Sequence, residues 1–175
     1  MKRAFSLIEL LIVVLIIGVV YTLALNNLQM MKEGKVKPTL LTLKSYLSKI
    51  KYDKQIKLLC LDNCESCVVF VDGKFDEKLS EEFEEFIDSS VVMYSFNINT
   101  GFSELPKEVF FNKEQVSEDI CFSFSVDKKG MSDQVVVEYK EKVYDFMNYL
   151  TGTKVYVSTA ELMDEKQRQV NEVLE

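Results

Sequence analysis

The chain has no histidine, so the commonest general base and metal ligand is missing. Six glycines are scattered through it, none grouped into a phosphate-cradling loop, and no nucleophile elbow occurs. Only two prolines are present, Pro38 and Pro106, and there is neither an internal repeat nor a low-complexity segment. These absences leave little from which to build an active site, and no cofactor or metal is implied. The reading is of a protein that is not an enzyme. Bases are also scarce in the larger part of the chain. Residues 58–175 carry 11 bases against 25 acids, a balance of −14. Phosphate contacts need clustered bases, so nucleic-acid binding by this part is disfavoured. The run Glu81-Glu82-Phe83-Glu84-Glu85 reads as a solvated helix face.

What is present is unevenly placed. Residues 1–25 carry Lys2, Arg3 and Glu9, and residues 26–57 carry eight lysines against Glu33 and Asp53, a local balance of +6 within a total of −7. A basic stretch of this kind suits an anionic lipid surface, where each lysine contributes about 1 kcal/mol, or simply a solvated helix face. It follows an apolar run from Phe5 to Leu25, 21 residues with one charge, Glu9. At 1.5 Å per residue such a helix reaches about 31 Å, the thickness of a bilayer's hydrocarbon core. A lone carboxylate within it costs about 3 kcal/mol and asks for a partner. A cleaved secretory signal would explain Lys2, Arg3 and the Thr22-x-Ala24 pattern, but its apolar run is usually shorter. A plain anchor would explain the length but not Glu9.

The residues Lys2-Arg3-Ala4-Phe5-Ser6-Leu7-Ile8-Glu9-Leu10 resemble the processing site of type IV prepilins and type II secretion pseudopilins. The resemblance implies cleavage between Ala4 and Phe5 by a membrane-embedded prepilin peptidase, then N-methylation of the Phe5 amine. It implies that Glu9 of one subunit pairs with the Phe5 amine of a neighbour during assembly, while Lys2 and Arg3 hold the leader inside. The usual residue before the cut is glycine, and Ala4 stands in its place. Gly18 matches the helix glycine of the family, but no proline follows until Pro38. The implied protein is a minor pilin or minor pseudopilin, single-pass in the inner membrane. Its N-terminus is cytoplasmic, its C-terminal domain periplasmic, and its partners are other pilins and the inner-membrane assembly platform. The service performed, secretion, DNA uptake or adhesion, is left open.

The domain plan expected is a leader at 1–4, a membrane helix at 5–25, an amphipathic continuation at 26–54 and an extracytoplasmic domain at 55–175. Val36, Leu40, Leu43, Leu47 and Ile50 form an apolar stripe, with Thr42, Ser45 and Lys49 opposite, which predicts helix to about Lys54 with a kink near Gly34–Pro38. Thereafter the period becomes extended. Strands are predicted at 56–61, 68–72, 91–97, 120–126, 134–139, 142–149 and 154–157, with turns at Asp72-Gly73 and Asp127–Gly130. Short polar connections predict that the last four strands form one antiparallel meander. A short helix is predicted at 79–88, capped by Ser80, and a loop at 99–112. Ser158-x-x-Glu161 opens a C-terminal helix as a capping box, and Lys166 interrupts its apolar side, predicting loose packing. The fold class is α+β, a long N-terminal helix packed on an antiparallel sheet.

Cys60, Cys64 and Cys67 cluster around a predicted hairpin turn, and Cys121 lies in a distant strand. Four cysteines allow three full pairings, and spacing does not choose among them. Disulfides are the default in an oxidising compartment. A thiolate zinc site lacks a second C-x2-C. Redox chemistry at Cys64-Glu65-Ser66-Cys67 would want a strand-to-helix turn rather than a strand-to-strand one. The alternative function is therefore a membrane-tethered periplasmic thiol-redox or metal-binding protein.

Overall fold

The computed structural model describes residues 11–18, 37–112, 115–149 and 152–174. They fall into two compact units, Met1–Val36 and Lys37–Glu175. In the first, residues 11–18 are α-helical (α1). Every side chain from Leu11 to Ile17 is 47–62% exposed, so the helix is apolar all round. Among the described residues no helix is long and apolar enough to cross a membrane. The rest of the apolar run, residues 5–10 and 19–25, lies outside the described residues.

The second unit is α+β. Its described elements run α2 (Leu43–Leu47), β1 (Gln55–Leu61), β2 (Ser66–Val71), β3 (Lys74–Asp76), α3 (Glu77–Glu81), β4 (Val92–Asn97), β5 (Gly101–Glu104), β6 (Glu108–Phe111), β7 (Ser117–Asp127), β8 (Val136–Tyr139), β9 (Lys142–Asp145), β10 (Lys154–Tyr156) and α4 (Thr159–Leu174). The strands make two five-stranded antiparallel sheets, ordered β3-β2-β1-β7-β6 and β10-β9-β8-β4-β5.

The apolar stripe at 40–50 is buried as its period predicts: Leu40, Leu43 and Leu47 are in the core, and Ile50 packs on its edge. The helix is shorter than the period implies. Within the described residues of 26–54 it is α-helical only over Leu43–Leu47. Before it, Thr39 and Thr42 bond each other's backbone and hydroxyl groups, which holds residues 39–42 as a turn. After it, Lys49 and Ile50 amides donate three residues back, to Tyr46 and Leu47, so the last turn tightens and the helix stops.

One face of the first sheet enters the main core. Ile56, Leu58 and Cys60 of β1, Val69 of β2 and Phe122, Phe124 and Val126 of β7 enter one core with α2, Phe83 and Ile87. The second sheet is covered on both faces. Val137 enters that same core, whereas its neighbour Val136 faces a second cluster with Val143 and Leu162 of α4, as strand alternation requires. Phe124 and Phe146, ring centroids 4.7 Å apart, join the two sheets.

Three expectations are corrected. The predicted 79–88 helix is α3 at Glu77–Glu81; its cap is Asp76, whose carboxylate accepts from the Leu79 amide, while Ser80 donates to the Asp76 carbonyl and accepts from the Val69 amide. Residues 99–112 are not a loop but contain β5 and β6, because Gly101, at φ +79°, reverses the chain tightly enough for Asn97 to pair with it. The four-strand meander is only β8-β9-β10: β7 leaves it to pair with β1, from Gln55–Asp127 to Leu61–Ile120. The two turns are as read. Asp127 Oδ1 accepts from the Lys129 and Met131 amides, and the Asp133 carboxylate accepts from the Ser125 amide and hydroxyl, which occupies both acids in turn formation.

Candidate functional site

Two places carry the sequence-derived candidates. Lys2, Arg3, Ala4, Phe5 and Glu9 lie outside the described residues, and of the span that follows them only α1 is described. The four cysteines are all described, and they are joined as Cys60–Cys67 and Cys64–Cys121, leaving no free thiol.

The local fold explains that choice among three pairings. Cys60 and Cys67 lie directly opposite each other in the β1–β2 register, with Cα atoms 3.9 Å apart. Between them residues 62–65 reverse the chain, with Asp62 and Cys64 in the left-handed region at φ +51° and +62°. Cys121 is the extra residue of a β-bulge: Cys60 pairs with Phe122 and Leu61 with Ile120, so Cys121 has no partner across the ladder. The bulge brings it to the turn, where it takes Cys64, at Cα–Cα 5.7 Å. The Asp62 amide, donating to the Asp119 carbonyl at 2.7 Å, fixes the turn against β7.

With their sulfurs in disulfides, the cysteines offer neither a thiolate ligand nor a nucleophile. Cys60, Cys64 and Cys67 are also buried, at 0%, 2% and 8% exposure. Among the described residues no group of three or more His, Cys, Asp or Glu is placed to hold a metal. The arrangement is a brace. It ties β2 to β1 and the β1–β2 turn to β7, holding three strands at one end of the first sheet.

One feature went unread in the sequence. The outer face of the first sheet carries an open groove of about 550 Å³ lined by Leu61, Val68, Phe70, Phe75, Phe110 and Phe111. Phe70 meets Phe75 edge to face and Phe110 at a tilt, with ring centroids 6.2 and 5.8 Å apart. The adjacent Phe110-Phe111 pair was its signal, hidden because residues 99–112 read as a loop.

Titration is perturbed at two surface carboxylates, Asp72, which is half-buried, and Asp88, which is exposed. The backbone amides of Asp53 and Lys54, then of Gln55, hold Asp72 below the usual carboxylate range. Asp88 is held lower still, first by the Ser90 hydroxyl and amide, then by Lys140 and Tyr139.

Comparison with known proteins agrees with the motif. Residues 1–25 match the family model of the prokaryotic N-terminal methylation motif. No curated protein and no solved structure matches the chain. The basic leader, the small residue before Phe5 and the Glu9 within the apolar run are thus the prepilin-type signature.

Proposed function

We propose that this chain is a structural subunit of a type IV filament-like machine, a minor pilin or minor pseudopilin, and not an enzyme. The observation that carries the reading is the methylation motif at residues 1–25 with Glu9 as the one charge inside its apolar run. Lys2 and Arg3 keep the leader in the cytoplasm, following the positive-inside tendency. A prepilin peptidase cuts between Ala4 and Phe5, and the freed amine is methylated. That amine is a cation at the edge of the hydrocarbon, where the Glu9 carboxylate of a neighbouring subunit offsets both charges. The pairing draws the span from lipid into a helical bundle in a fixed register. The span crosses the inner membrane once and leaves the cystine-braced domain in the periplasm, an oxidising compartment suited to both disulfides. Other pilins and the assembly platform are its partners.

N-terminal sequencing of the mature protein, isolated from membranes that contain the peptidase, tests the proposal. The expected sequence begins at N-methylated Phe5. A chain still beginning at Met1, or one beginning beyond Ala24, overturns it.

A further inference from the structure

The two ends of the first sheet carry net charges of opposite sign. At the end where β1 starts, its neighbours β2 and β7 finish, as the Ile56–Val71 and Gln55–Asp127 pairs show. The segment before β1 is tied there by the Lys128 amide donating to the Lys54 carbonyl and by the Tyr52 hydroxyl donating to the Asp127 carbonyl. Residues 49–57, 72–74 and 127–133 therefore gather at this end, with seven lysines against Asp53, Asp72, Asp127 and Asp133, a balance of +3. Asp72 and Asp127 are engaged by backbone amides. Lys51, Lys54, Lys74, Lys128 and Lys129 are exposed, and among the described residues none has an ion-pair partner.

The opposite end is the disulfide-braced one. Residues 61–66, 107–108 and 117–120 bring Asp62, Glu65, Glu108, Glu118 and Asp119 together against Lys107, a balance of −4. The six steps of β1 set the two ends about 20 Å apart, too far for a lysine of one end to meet a carboxylate of the other within one molecule.

We propose that copies of this chain associate end to end, the lysine end of the first sheet on one copy meeting the carboxylate end on the next. The contact uses two different surfaces of the same molecule, so each pairing leaves one free end of each sign, open to a further subunit, instead of closing. Opposite fields at the two ends set its direction and register, because like ends repel. The inference deepens the filament reading and rests on it: the disulfide brace becomes the stiff mount of one docking surface.

Carbodiimide coupling, which joins lysine to carboxylate only at direct contact, tests this on the full-length protein in phosphatidylcholine proteoliposomes, using an equal mixture of isotope-labelled and unlabelled chains. Expected are mixed-isotope peptides joining Lys54, Lys74, Lys128 or Lys129 to Glu65 or Asp119. Their yield should fall several-fold between about 0.1 M and 1 M salt, as the Debye length shrinks from about 10 Å to 3 Å. Reversal by Lys74→Glu with Lys128→Glu should abolish them, and mixing that variant with Glu65→Lys/Asp119→Lys chains should restore coupling between the reversed ends. Absence of mixed-isotope products between the ends overturns the proposal, as does a yield indifferent to salt. Protection of the lysine end from acylation by vesicles containing phosphatidylglycerol, without cross-linking, also overturns it and assigns that end to anionic lipid. The N-terminal sequence is read independently, so absent end-to-end products on a chain that begins at Phe5 reject this contact and leave the filament reading standing.

Discussion

Lys166 Nζ lies 2.7 Å from Asp145 Oδ2, with the Lys166 side chain 12% exposed and Asp145 wholly buried. The pair joins α4 to β9 beneath the helix. Asp145 also accepts from the Met147 amide and the Asn148 side-chain amide, so its charge is fully engaged.

Replacing Lys166 with Met keeps the stem and removes the ammonium, leaving Asp145 buried without its counter-charge. Loss of one partner of a buried pair costs about 3 kcal/mol. Amides around Leu162 and Lys166 should then exchange with solvent about a hundredfold faster, at 1.4 kcal/mol per factor of ten. Hydrogen exchange followed by mass spectrometry gives the answer; unchanged α4 protection would mean that Leu162 alone holds the helix.

Lys166 also shows where sequence reading stops. On a helical wheel it breaks the apolar side of α4, which predicts loose packing; the structure makes it the anchor, because a buried acid waits on β9. Nothing in a one-dimensional pattern reveals a partner 21 positions away in sequence. Local signals did better. The alternation of Phe122, Phe124 and Val126, the Asp72-Gly73 turn and the Ser158–Glu161 box, where the Glu161 amide donates to Ser158 Oγ at 3.2 Å, all follow from nearest-neighbour chemistry. Non-local choices were the ones lost: β7 leaving the meander for β1, and the selection of one cystine pairing among three. The candidate site divides the same way. The motif at 2–9 was legible because its chemistry is contiguous, and the cystine brace was not, since the bulge at Cys121 exists only once β1 and β7 pair.

The two disulfides should contribute unequally. Cys60–Cys67 closes a separation of 7 residues and Cys64–Cys121 one of 57. From chain entropy the shorter loop is worth about 2 kcal/mol and the longer about 4 kcal/mol. Denaturant midpoints of Cys60→Ala/Cys67→Ala and Cys64→Ala/Cys121→Ala proteins should rank in that order, the second pair losing more. The reverse ranking would locate the brace in the hairpin and not in the tie to β7.

Acid should weaken the domain through Asp72 and Asp88. Both carboxyls are held below their ordinary value in the folded state, Asp72 chiefly by backbone amides and Asp88 chiefly by Ser90. A depressed folded pKa means that the unfolded chain takes up protons first. The stabilisation is therefore complete well above the ordinary carboxylate value of about 4 and fades as the pH drops below it. Unfolding midpoints at neutral pH and in acid should differ less in Asp72→Asn and Asp88→Asn proteins than in the parent. Equal acid sensitivity in all three would place the responsible protons elsewhere.

On the filament reading proposed above, Glu9 is the residue on which assembly turns. Within an apolar run its carboxylate costs about 3 kcal/mol, so Glu9→Ala should insert into the membrane at least as readily as the parent and be cleaved at Ala4–Phe5 as usual. What it loses is the group that meets the methylated amine of the next subunit. Without it, nothing distinguishes one axial register of apolar helices from another, since Leu, Ile and Val pack against lipid and against each other about equally well. The variant should therefore accumulate as processed protein in the inner membrane, with incorporation into sheared filaments at background. Glu9→Gln separates charge from size: a neutral amide of the same shape should fail in the same way. Filament incorporation of Glu9→Gln at the parent level would show that shape, rather than the ionic pair, selects the register.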